Sequence, residues 1–214
     1  VLIWEAIEAP EIGAGCRLTG GRWWSYYDET WVTSASGLDV DHMVPLAEAW
    51  DSGASAWTPQ RREAYANDQD ALTSLVAVTA RSNRAKADRD PAEWLPPAPS
   101  DEVRCRYAVE WAGTKLRWSL AADEAELAAL QNLAVGCSTQ TVTYEPAMVA
   151  RAPPSSGGGA YPCAGIIASL CLRPARRGHR GRCQRRAVLR DAAEVSGLGM
   201  RVIASSDVAG WRRG

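Results

Sequence analysis

Two short stretches limit what this chain can fold into. Residues 38–46, Leu-Asp-Val-Asp-His-Met-Val-Pro-Leu, read as a buried strand that closes on an acid–histidine pair and is stopped by Pro45. Residues 75–79, Leu-Val-Ala-Val-Thr, read as a second strand and run directly into a helical stretch that carries Asn83 and Lys86 on one face. Any fold of this chain must therefore accommodate a strand, a second strand and a helix, with chemistry-bearing side chains at the end of the first and along the last.

That order, with Asp41-His42 on the first element and Asn83-x-x-Lys86 on the last, resembles the HNH or ββα-metal (His-Me finger) nucleases. Residues 39–50, Asp-x-Asp-His-x-Val-Pro-Leu-Ala-x-Ala-Trp, and 82–88, Ser-Asn-Arg-x-Lys-x-Asp, are similar to the single-domain HNH endonucleases that actinobacteria secrete. The resemblance covers residues 1–137. It implies an α+β fold in which a ββα-metal core carries flanking helices and a small β-hairpin. Residues 1–137 would be the nuclease domain. Because the chain starts at Val1 and the family carries more sequence upstream, the domain is expected to be truncated at its N-terminus. Residues 138–214 would be a linker, Pro/Ser/Gly-rich over 152–159, and a poorly ordered arginine-rich tail.

The resemblance also assigns roles. Hydrolysis of a phosphodiester requires a deprotonated water, neutralised phosphate charge and a stabilised leaving oxygen. His42 would be the general base, its imidazole being largely neutral near pH 7. Asp41 and Asn83 would hold one divalent cation, Mg²⁺ first, with Mn²⁺ or Ca²⁺ as alternatives, since hard oxygen donors suit these ions. Ser74 stands where many relatives carry an asparagine that orients the histidine, and its hydroxyl would take over that task. Arg84 and Lys86, within a basic patch that also includes Arg81 and Arg89, would grip phosphates. Asp39 and Glu48 would support the metal ligands or simply face solvent.

Composition narrows the partner. The net charge of −1 provides no global attraction for nucleic acid, so binding has to be local. The expected substrate is DNA, with RNA as the second choice, cut with weak or no sequence preference by a monomer. No apolar run reaches the ~18 residues of a membrane span. No Gly-x-Ser-x-Gly or phosphate-binding Gly-x-x-x-x-Gly-Lys motif occurs either. The six cysteines show no zinc spacing, and Cys105 and Cys137 bracket two predicted helices that they could staple, which suits a secreted, extracellular setting. The competing reading is a catalytically inactive HNH-fold module, either binding nucleic acid or serving as a secreted structural domain.

The remaining chain reads as scaffold. A helix is predicted over 1–9 and a loop over 13–21. A hairpin follows over 22–33, and a helix opens at Thr58-Pro59. Two longer helices follow, over 104–118 and from the capping pair Asp123/Glu126 onward.

Overall fold

The computed structural model describes residues 1–137, 140–148 and 201–204. Helix α1 is only Leu2–Glu5, shorter than predicted. Beyond it the backbone turns to a bridge between Glu8 and Arg22, where Ile7 and Glu8 donate to the Arg22 carbonyl and Arg22 donates back. Those bonds replace the helical ones that residues 6–9 would have made. Strands β1 (Glu11–Ile12) and β2 (Leu18–Thr19) form a small antiparallel pair, β1 just before the predicted loop and β2 within it.

The predicted hairpin is β3 (Trp23–Ser25) with β4 (Thr30–Val32), pairing Trp24 opposite Trp31. Alternation buries Trp23 and Ser25 and leaves Trp24 facing out. Strand β5 (Leu38–His42) ends at the acid–histidine pair, and helices α2 (Leu46–Asp51) and α3 (Pro59–Ala66) follow. Thr58 caps α3 by accepting from the Arg61 amide, with Pro59 in its first turn. Strand β6 (Leu75–Thr79) lies antiparallel to β5, with Asp41 opposite Val76 and His42 opposite Leu75. Helix α4 (Ala80–Lys86) starts without a loop because Thr79 is both the last strand residue and the cap, its hydroxyl accepting from Ser82.

The β5–β6 pair is buried on both faces. Val76 and Val78 point into the main core beside Tyr107 and Trp111, while Ala77 and Leu38 meet Trp23 in a smaller cluster. Helices α5 (Asp101–Trp118) and α6 (Glu124–Val135) close the main core. Cys105 of α5 is bonded to Cys137 just past α6, with Cα atoms 5.4 Å apart and 32 residues of separation. Reducing this disulfide is expected to lower stability by about 3–4 kcal/mol, the chain-entropy value for a loop of that size, as urea denaturation with and without reductant would show.

The folded core continues past residue 137, where the sequence placed its boundary. Strand β7 (Thr141–Tyr144) pairs in parallel with β8 (Arg201–Ala204). Val142 of β7 is fully buried in the main core, and Ala147 donates its amide to the Arg117 carbonyl. An apolar Val and Tyr within Thr-Val-Thr-Tyr supply the burial that a linker reading overlooks. The 152–159 linker and the arginine-rich stretch, apart from β8, lie outside the described residues.

A buried ionic cluster ties α2, α5 and α6 together. Lys115 Nζ, fully buried, lies within hydrogen-bond distance of four acceptors that share its three protons: Glu48 Oε1 (2.9 Å), Ser52 Oγ (2.8 Å), the Ala121 carbonyl (2.7 Å) and Glu126 Oε2 (2.7 Å). Trp111 Nε1 donates to the other Glu126 oxygen at 2.6 Å. Burial pushes the Glu126 carboxyl from 4.5 up to about 7, Lys115 opposing and Glu48 reinforcing the rise. A folded-state value above the unfolded one means stability that is full below 4.5 and lost as pH climbs through about 7. Melting temperature is therefore expected to fall between pH ~5 and ~8 in the parent and to vary less in Glu126→Gln.

Candidate active site

The end of β5 and the face of α4 enclose a shallow cleft of about 260 Å³, lined by Asp41, His42, Pro45, Leu46, Asn83 and Asp88, among others. Three of the residues singled out from the sequence, Asp41, His42 and Asn83, thus meet at one place. Pro45 directs the chain out of β5 and into α2, which leaves the histidine at the strand's end beside the opening.

His42 is partly buried, and its Nε2 lies 2.9 Å from the Ala66 carbonyl at the end of α3. A carbonyl only accepts, so Nε2 must carry the hydrogen, and the lone pair of the neutral ring is on Nδ1. The Tyr65 ring stacks against the imidazole at 6.2 Å. Burial pulls the His42 pKa below 6.5, outweighing the Ala66 bond and the nearby Asp41 charge. The imidazole is accordingly held neutral and oriented, as a base must be.

Asp41 is 4% exposed. Its Oδ2 accepts from the Tyr27 hydroxyl at 2.6 Å and from Lys86 Nζ at 2.5 Å. Burial raises its pKa, with Lys86 and Tyr27 opposing the rise. Both of these bonds fall on Oδ2, so Oδ1 is the carboxylate oxygen left for a further partner. Asn83 donates its amide nitrogen to Asp39 Oδ2 at 3.2 Å, which turns its oxygen away from that carboxylate. The residues that line the cleft thus include two hard-oxygen donors, the Asp41 carboxylate and the Asn83 amide. That set fits a hard divalent cation that keeps most of its waters, although no group of three or more His, Cys, Asp or Glu able to hold a metal occurs among the described residues.

Several expected placements do not hold. Lys86 is not on the surface: it is fully buried, and its ammonium is spent on Asp41 and on the His42 (2.7 Å) and Met43 (2.9 Å) carbonyls, so it cannot reach a phosphate. Ser74 does not touch His42. Its hydroxyl donates to Asp68 at 2.6 Å, and the Ala66 carbonyl orients the imidazole instead. Glu48 belongs to the Lys115 cluster. Arg84 is exposed as expected and leans on Asp39 at 3.3 Å, a solvent-facing pair that constrains it little. Arg81 and Arg89 are exposed too.

Sequence reasoning overlooked Tyr27, Asp68 and the acidic wall residue Asp88. Asp88 stands within the 82–88 motif and was findable there. Tyr27 sat in an aromatic run that reads as core, and Asp68 in a turn that reads as solvated.

The family model described as "GmrSD restriction endonucleases, C-terminal domain" matches residues 17–133, more than half of the chain. An "Uncharacterized secreted protein" of Arthroderma benhamiae is 39% identical over 127 residues, 59% of this chain and 61% of that protein. The chain thus spans less than two thirds of that relative's length. No solved structure matches.

Proposed function

The chain belongs to the family of GmrSD restriction endonuclease C-terminal domains, which are HNH-like, and from that premise we propose that it is a secreted, metal-dependent endonuclease that cuts DNA with little sequence preference. The observation that carries the reading is His42: a neutral, oriented imidazole at the mouth of a cleft that also holds the oxygens of Asp41 and Asn83. His42 Nδ1 accepts the proton of the attacking water. Asp41 and Asn83 would hold the cation through their side-chain oxygens, and it would neutralise phosphate charge and stabilise the departing 3′ oxygen. Asp39 orients the Asn83 amide, and exposed Arg84, with Arg81 and Arg89 near it, draws the phosphate backbone toward the cleft. The Cys105–Cys137 disulfide and the name of the secreted relative agree with an extracellular setting. No helix among the described residues is long and apolar enough to cross a membrane.

A plasmid-nicking assay tests the reading. Supercoiled DNA is expected to relax in Mg²⁺ or Mn²⁺ and to stay intact in EDTA. Cutting that persists in EDTA would refute the metal-assisted mechanism. Gel retardation with no cutting in any divalent ion would favour the inactive, DNA-holding module.

A further inference from the structure

We propose that Lys86 is a built-in cation of the site, which pre-neutralises Asp41 and clamps the end of β5 so that the cleft is assembled without metal and binds it weakly. This inference rests on the reading of Asp41 as a ligand. An ammonium has three protons, and those of Lys86 have three acceptors within 2.5–2.9 Å: Asp41 Oδ2 and the carbonyls of His42 and Met43. The group is fully buried, with the rings of Tyr27 and Trp111 each 5.8 Å away. Both carbonyls belong to the residues at which β5 ends, so one side chain fixes the backbone that presents His42 and the carboxylate beside it. Such a cluster is satisfied throughout, which is what allows a charge to remain buried.

Two consequences distinguish this arrangement from a bare carboxylate site. First, a divalent ion entering the cleft meets an Asp41–Lys86 pair with no net charge. It can use only Asp41 Oδ1, so Coulomb attraction from this ligand is largely cancelled. Second, without metal the strand end holds no unpaired buried charge, because its carboxylate already has a counterion. Lys86 is in this sense a positioning residue, acting on the reaction through Asp41 and His42.

Mn²⁺ titration followed by water proton relaxation, with no substrate present, tests the proposal. Lys86→Gln removes the charge and keeps an amide with two N–H donors for the three acceptors, on a side chain one bond shorter. It is expected to bind Mn²⁺ at least about tenfold more tightly than the parent, since one opposing unit charge beside the ligand oxygen is gone. A merely structural lysine would give looser binding on replacement, so unchanged or weaker affinity in the variant overturns the proposal. Should Lys86→Gln fail to fold, the parent alone decides: its melting temperature in EDTA and in ~1 mM Mn²⁺ should agree within about 2 °C. A large metal-induced rise would overturn the claim that the site is assembled without metal. Mn²⁺ affinity that survives Asp41→Asn would instead remove Asp41 as a ligand, and this inference with it, while leaving nicking by the parent to be judged separately.

Discussion

His42→Ala is expected to reduce plasmid cleavage by about 10²–10⁴-fold, the usual contribution of a positioned general base. The fold should tolerate the change, because the ring is only partly buried and its single hydrogen bond goes to a carbonyl at the end of α3. A far-ultraviolet spectrum identical to the parent, with nicking lost, is the expected pair of results. The pH profile supplies a second reading of the same residue. Burial holds the His42 pKa below 6.5, so the base form persists as pH falls and the acid limb of activity should lie below that value. The sign for stability is the same: a depressed histidine value favours the folded state above 6.5 and loses that benefit as pH drops through the folded value. A variant that cuts like the parent would remove His42 from the mechanism.

The largest effect on stability is expected at Asp68, far from any sequence motif. Arg117 Nε and Nη2 each reach this carboxylate at 2.8 Å in a fork, Trp118 Nε1 adds a bond at 2.8 Å and Ser74 one at 2.6 Å. These bonds pull the Asp68 pKa below 3.8, overcoming the opposing effect of burial. Asp68→Ala would strand a guanidinium that is only 8% exposed, together with an indole N–H and a hydroxyl. The loss should be about 3–5 kcal/mol, against a domain stability of roughly 5–15 kcal/mol. Denaturant titration would measure it, and Asp68→Asn, which keeps an acceptor, should cost less. A loss below about 1 kcal/mol would show that the cluster is no better than a surface pair. Because Ser74 closes the turn into β6 and its carbonyl accepts from the Met43 amide, this anchor also holds the second strand of the site in register with the first.

Much of the site was legible from local pattern. A β-branched run, a proline stop and the Asn-x-x-Lys spacing located β5, β6 and α4, and the structure brings His42, Asp41 and Asn83 to one cleft. What local pattern could not express is which long-range partner claims each polar group. Lys86, beside arginines on a short helix, looks like a solvated cation, yet its counterion is 45 positions away on β5. Ser74 looked like a substitute for an asparagine beside the histidine, but Asp68 offers it a shorter route to a charged acceptor. Helix α1 ends early because Arg22, far along the chain, supplies better backbone partners than another helical turn. In each case tertiary pairing decided between options that sequence leaves equal.

The chain's two lysines, Lys86 and Lys115, are both wholly enclosed, whereas its arginines include many at the surface. The described fold therefore presents no ε-amine to amine-directed chemistry: acylating labels, lysine-bridging cross-linkers and lysine-specific proteases find none to attack. The protein carries its own opening gauge. Mass added at either lysine would report molecules that have opened, with Lys86 reporting on the cleft and Lys115 on the helical layer beneath it, each without an engineered probe.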